Sequence, residues 1–209
     1  MTHAGSPVHL GSAYGGWIVP SAAIKAGWMC YSVGVGGDIT FDLELIHRFD
    51  VRVRGFDPVP EFVKAAEEKT RDEPRYSAHC AAIAERDGPI LMQRTHHPGA
   101  KAVSGAGLFD THQWDEFPGR SIPSLMEEFA DERVDLLKMD TEGTEYEILP
   151  ALDLQGLGVK VLAVCLHHNG SVSRARSLVA HLGSLGYQPV AVRPALKMTF
   201  AHQGVLGTA

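Results

Sequence analysis

The sequence predicts an α/β fold, an open and mostly parallel sheet of about seven strands with helices on both faces. Three observations carry this expectation. Strand-like apolar runs alternate with helix-like ones from about residue 29 onward. A glycine-rich turn, Gly34-Val35-Gly36-Gly37, joins the first buried run to the first helix. The chain has 209 residues, 44% hydrophobic and 21% charged. A chain of this length buries about 70% of its unfolded surface, so one domain over residues 1–209 is expected.

The elements follow in order. Residues 29–35 read as a buried strand, and a helix begins near Asp38, its expected N-cap, with Phe41, Leu45 and Phe49 at four-residue spacing. Residues 51–56 form a second strand ending in Asp57-Pro58, and residues 60–71 a second helix. Residues 76–83 and 90–93 are strands on either side of an Asp87-Gly88-Pro89 turn. Periodicity then fails over residues 94–120, where His96, His97, Pro98, Gly99, Gly105, Gly107, His112 and Gly119 mark a long irregular segment, the expected active-site loop. A helix over 123–130 and a strand over 134–139 come next. Asp140-Thr141-Glu142-Gly143 turns into a helix reaching Leu152, and a strand over 159–166 ends at His167-His168-Asn169. A helix over 173–185 is capped by Gly186, and residues 188–192 and 198–202 close the sheet as an antiparallel pair.

Composition excludes several classes of function. Nineteen Lys and Arg against 25 Asp and Glu give a formal charge of −6 with no basic block, which disfavours nucleic acid as a partner. The longest apolar stretch, residues 161–166, falls far short of the roughly 20 residues that span a bilayer. Residues 1–20 show no secretory signal pattern. Cys30, Cys80 and Cys165 are odd in number and far apart, which suits reduced thiols and a cytoplasmic location. Oligomeric state is open, with a homodimer as one possibility.

In an open parallel sheet, ligands bind beyond the C-terminal ends of the strands. Four such ends carry unusual residues: 34–38, Asp57, 140–145 and 167–169. The first two suggest a nucleoside cofactor, because glycines admit a ligand close to the backbone and Asp57 can accept hydrogen bonds from ribose hydroxyls. A dinucleotide fingerprint would place Gly or Ala where this chain has Ile39. A carboxylate at Asp38 would repel a pyrophosphate but suits a cationic ligand, so S-adenosylmethionine fits better than NAD.

The strings 31–42 (YSVGVGGDITFD), Phe56-Asp57-Pro58 and 135–145 (DLLKMDTEGTE) resemble the FkbM family of S-adenosylmethionine-dependent methyltransferases over roughly residues 14–200. The Lys-Met-Asp-x-Glu-Gly-x-Glu string is the most specific part. The resemblance implies a Rossmann-like class I methyltransferase fold and, for many members, methylation of oxygen in small molecules such as natural products and sugars. Tyr14-Gly15-Gly16-Trp17 resembles a segment that folds over the cofactor, so residues 1–28 are expected to be a cofactor and substrate cover. The cofactor-binding set so implied is Tyr14, Gly34, Val35, Gly36, Asp38, Asp57, Pro58, Ala81 and Asp140. One departure stands out: members often carry Glu two residues before a His, and this chain has Cys165 before His167.

Asp140, His167 and His168 are the candidate catalytic residues. Asp140 lies beside the expected methyl donor, and neutral imidazole has the intrinsic pKa, near 6.5, of a base at neutral pH. Which histidine serves is open. Glu142 and Glu145, three apart, are expected on one helical face with capping as a sufficient role, and Lys138 is expected to pair with a carboxylate. A divalent ion held by Asp140, His168 and Asn169 is an alternative to metal-free catalysis, resembling the placement of ligands in metal-dependent O-methyltransferases. An NAD-dependent oxidoreductase and a non-catalytic nucleotide-binding module are the competing readings.

Overall fold

The computed structural model describes residues 7–95, 102–107, 109, 111–167 and 172–206. The chain opens with an antiparallel hairpin, β1 (Pro7–Leu10) and β2 (Trp17–Pro20), followed by β3 (Met29–Val33), α1 (Thr40–Phe49), β4 (Arg52–Asp57), α2 (Pro60–Lys69) and β5 (Tyr76–Cys80). Next come β6 (Ala82–Ile83), β7 (Gly88–Arg94), β8 (Val103–Ser104) and β9 (Trp114–Arg120). The last part holds α3 (Ile122–Phe129), β10 (Leu136–Met139), α4 (Glu145–Ala151), β11 (Val161–Cys165), α5 (Ser173–Ser184), β12 (Tyr187–Arg193) and β13 (Lys197–His202).

Seven strands form the main sheet in the order β12-β13-β11-β10-β3-β4-β5. Strands β5, β4, β3, β10 and β11 run parallel, and β13 is antiparallel to both of its neighbours. The expected closing pair is therefore present. Strand order reverses between β3 and β10, which opens a crevice at their C-terminal ends. Both faces of the sheet are covered, so β3, β10 and β11 are buried along their whole length and mostly apolar, with Ser32 and Lys138 as the polar exceptions. Leu137, Met139, Leu162 and Val164 join one core with α3, α4 and α5, while Cys30, Leu136, Val161 and Ala163 join another with α1 and the hairpin.

Local chemistry sets the boundaries. Helix α1 buries Phe41, Leu45 and Ile46, and Asp50 ends it in a left-handed conformation at φ 54°. Its N-cap is Ile39 rather than Asp38, although Asp38 Oδ1 still accepts from the Thr40 N–H at 2.9 Å. Ser121 caps α3 by accepting from Ser124 N, and Gly186, at φ 85°, follows the last turn of α5.

The segment expected to be irregular needs correction. Residues 114–120 form β9, and β6, β9, β7 and β8 make a second, four-stranded sheet packed around Val59, Ala82, Met92, Val103 and Phe117. Pro118 and Gly119 hid this strand because both are poor strand formers, yet Gly119 pairs with Gly88 and Pro118 with Pro89. His96, His97, Pro98 and Gly99 lie outside the described residues, and His112 is exposed. Among the described residues no helix is long and apolar enough to cross a membrane.

Candidate active site

A cavity of about 680 Å³ opens at the crevice, lined on one side by residues 33–38 and Asp57 and on the other by Asp140, Cys165 and His167. Every described member of the expected cofactor set lines it: Tyr14, Gly34, Val35, Gly36, Asp38, Asp57, Pro58, Ala81 and Asp140.

The cofactor side is built from backbone. Gly34 has φ 77°, and a Cβ there would overlap the Asp140 carbonyl oxygen, so the close approach of β3 to β10 requires glycine. The Gly34 carbonyl accepts from Lys138 Nζ. Lys138 thus serves a backbone oxygen rather than pairing directly with a carboxylate. Asp57 shapes the turn from the next strand, its Oδ2 accepting from Gly36 N at 2.9 Å and its Oδ1 from Val59 N at 2.9 Å. Burial raises the Asp57 pKa, partly offset by those hydrogen bonds.

Asp38 ties this turn to the N-terminal hairpin. Ser12 Oγ donates to its Oδ2 at 2.5 Å and Thr40 Oγ1 to its Oδ1 at 2.6 Å. Desolvation opposes ionisation here, but these hydrogen bonds outweigh it and hold the Asp38 pKa at about 2. Tyr14, 87% exposed, projects from the hairpin turn into the cavity wall. Trp17 does not accompany it: the indole is buried against Phe41, so it is core. Arg193 and Lys197 hold the turn down from the other end of the chain. Arg193 donates to the carbonyls of Gly16 and Ala13, and Lys197 donates to that of Tyr14 at 3.1 Å.

The opposite side is built from side chains. Asp140, at the tip of β10, has Oδ1 3.5 Å from His167 Nε2 and Oδ2 3.5 Å from Lys197 Nζ. Glu145 is fully buried at the start of α4. Its Oε2 accepts from Gly143 N and Thr141 Oγ1, and its Oε1 accepts from His167 N at 2.6 Å and lies 3.2 Å from His167 Nδ1. Glu142 is not on the helix with it. Glu142 sits before α4 at φ 50°, its carbonyl accepts from Ser104 Oγ, and its Oε2 lies 3.5 Å from His167 Nε2. Burial raises the Glu142 pKa, with His167 acting against the rise.

Desolvation works against a charge on His167, yet Cys165 and Glu145 push its pKa up to about 11. This is not the neutral base expected from the sequence: at neutral pH the metal-free site holds an imidazolium among carboxylates. Buried Cys165 has its Sγ 3.6 Å from His167 Nε2, and burial pushes its thiol pKa up. Asp140, Cys165 and His167 place one ligand atom each within 4.8 Å of one another. His168 and Asn169 lie outside the described residues. Sequence reasoning did not name Cys165, Glu145, Arg193 or Lys197 as site residues. The last two stand in the closing antiparallel pair, and nothing in their spacing links them to residues 13–16.

A parallel sheet with its sixth and seventh strands closed by an antiparallel hairpin, a glycine turn after the first parallel strand and a carboxylate at the end of the second define the class I methyltransferase fold. The chain belongs to the FkbM methyltransferase domain family, whose profile matches residues 35–189. No curated protein sequence matches it. Among solved structures it is similar to a fibrillarin/Nop5p complex, at 12% identity over 86% of this chain and 74% of that chain, with a TM-score of 0.51. It is also similar to an Aeropyrum pernix fibrillarin in complex with natively bound S-adenosyl-L-methionine (10% identity, 86% and 67% covered, TM-score 0.48). A SAM-dependent methyltransferase from Aquifex aeolicus matches at 17% identity, 85% and 81% covered, with a TM-score of 0.40. At these identities the likeness is one of fold.

Proposed function

We propose that this protein transfers the methyl group of S-adenosylmethionine to a hydroxyl oxygen of a small molecule. The observation that carries the reading is the Asp140 carboxylate, held between His167 and Lys197 and facing the same cavity as the Gly34 to Asp38 turn. Family membership supports methyl transfer rather than hydride transfer. Asp38, Asp140 and Glu142 around the cavity, with the chain's charge of −6, favour a small acceptor over a polyanion.

Asp57 would hold the ribose of the donor and Asp140 would face the sulfonium that supplies the methyl group, since both line the cavity. The acceptor hydroxyl attacks the methyl carbon in line: the O–CH3 bond forms as the S–CH3 bond breaks, and the bonding pair stays on sulfur to leave neutral S-adenosylhomocysteine. Alignment and exclusion of water supply most of the acceleration. As the oxygen gains its methyl group the O–H becomes strongly acidic, so a carboxylate suffices to take the proton. Asp140 takes it, and His167 and Lys197, each 3.5 Å from one of its oxygens, hold that carboxylate in place. A neutral histidine is not required.

The test is incubation of the purified protein with methyl-labelled S-adenosylmethionine, once with a panel of hydroxylated small molecules and once with structured RNA. Label in a small-molecule ether is the expected result. Label in RNA alone would overturn the acceptor class, and absence of S-adenosylmethionine binding in calorimetry would overturn the donor.

A further inference from the structure

We infer that Asp140, Cys165 and His167 form a binding site for a borderline-soft divalent cation of the zinc class, with an open position toward the cavity. The inference rests on the reading of this cavity as the acceptor site, since the open position is where an acceptor oxygen would sit.

The donor set differs from the Asp140, His168 and Asn169 set expected from the sequence, and three features support it. The first is spacing. With ordinary zinc–sulfur and zinc–nitrogen bond lengths, tetrahedral coordination sets sulfur and nitrogen about 3.6 Å apart and nitrogen and oxygen about 3.3 Å apart. Cys165 Sγ stands 3.6 Å from His167 Nε2, and Asp140 Oδ1 stands 3.5 Å from the same nitrogen. All three ligand atoms lie within 4.8 Å of one another, so an ion fits between them with little movement.

The second feature is the support behind the imidazole. His167 Nδ1 faces Glu145 Oε1 at 3.2 Å, and that carboxylate is itself fixed by Gly143 N, Thr141 Oγ1 and the His167 N–H. A buried carboxylate behind a histidine fixes the ring with Nδ1 protonated and Nε2 presented, the arrangement that orients metal-binding histidines. Glu145 is thus a positioning residue. The third feature is donor chemistry. One thiolate, one imidazole and one carboxylate suit zinc, or cobalt in its place, and suit magnesium poorly because it prefers oxygen.

Charge closes the account. Loading the site releases the Cys165 thiol proton and the His167 Nε2 proton to solvent, and the cation is then neutralised by the thiolate and the Asp140 carboxylate. Lys197 lies 3.5 Å from Asp140 Oδ2, the oxygen facing away from His167, so it need not leave when Oδ1 takes the ion.

Co²⁺ titrated into the metal-stripped, full-length protein without S-adenosylmethionine tests this directly. One equivalent per chain is expected to bind with a thiolate-to-cobalt charge-transfer absorption. The band should vanish in Cys165→Ser and persist in Cys80→Ser, whose thiol is exposed at the end of β5. Asp140→Asn, at a partly buried position, should weaken Co²⁺ at least tenfold and serves as the second variant if Cys165→Ser does not fold. No saturable binding, or a band that survives Cys165→Ser, overturns the site. S-adenosylmethionine binding is measured separately by calorimetry. Cobalt binding without donor binding supports the metal site while sinking the methyl-transfer reading, and the reverse outcome sinks the site alone.

Discussion

Strand β10 is flanked by an aspartate at each end, and the two are held in opposite ways. Asp135, just before the strand, is fully buried, with Oδ2 accepting from Met29 N at 3.0 Å and Oδ1 bound by Lys160 Nζ at 2.6 Å, while Arg133 Nε reaches both oxygens. Asp140, just after it, keeps 23% of its side chain exposed and meets its two cations only at 3.5 Å. A carboxylate saturated at short range stitches β10 to β3. One held loosely between charges has capacity left for a ligand. The N-terminal edge of the sheet is thus closed by its ion pairs, and the C-terminal edge is left open.

The comparison predicts a graded series across four aspartates. Asp135→Ala should be the most damaging to the fold, costing about 3 kcal/mol in chemical denaturation, because it strands a buried N–H and removes the partner of two cations. A loss similar to that of Asp140→Asn would erase the contrast between the two ends. Asp140→Asn should leave the melting temperature nearly unchanged yet slow methyl transfer at least 100-fold, equivalent to about 2.7 kcal/mol. Unaltered turnover would remove Asp140 from the reaction.

Asp57→Ala should weaken S-adenosylmethionine by about 1.5 to 3 kcal/mol in calorimetry, the range for hydrogen bonds to a charged group. The same affinity as the native protein would mean that Asp57 only shapes the Gly36 turn.

Asp42 supplies the smallest effect, with reversed sign. It is buried on α1, and desolvation raises its pKa from 3.8 to about 6, with Lys138 opposing the rise. A carboxyl whose folded pKa is raised costs stability once it ionises: nothing below pH 3.8, a growing penalty between 3.8 and 6, and the full penalty above. Asp42→Asn should therefore stabilise the protein by about 1 to 3 kcal/mol at pH 7.5, and the gain should fade by pH 4. Equal gains at both pH values would assign it to something other than ionisation.

The sequence disclosed the parallel core and the cofactor side because both are written in local patterns. The apolar runs, the glycines at 34 and 36 and the acidic residue at the next strand end act through backbone geometry close to them in sequence. The acceptor side was only half legible. Asp140 and His167 could be named as strand-end residues, but the charge on His167 depends on Glu145, 22 residues away, and on Cys165. Glu142 and Glu145 looked like helix neighbours at a spacing of three, until Glu142 proved to sit outside the helix at positive φ. Tyr14 and Trp17 are close in sequence, but Tyr14 lies in the exposed hairpin turn while Trp17 opens β2 and packs into the core, so only Tyr14 reaches the cavity. The sheet containing β9 was missed because Pro118 and Gly119 obscure its pattern.

The clasp between the hairpin turn and the β12–β13 pair bears on the order in which the molecule is made. Ala13, Tyr14 and Gly16 emerge early during synthesis, whereas Arg193 and Lys197, which bind their carbonyls, come 177 to 183 residues later. Contacts that distant in sequence form late and slow the approach to the native state. A nascent chain that has already built the glycine turn therefore still lacks the cations that hold its cover, and Asp140 lacks one of its two counter-charges. Completion of the active site is coupled to the arrival of the final strand, so a growing polypeptide has no finished pocket to offer before then.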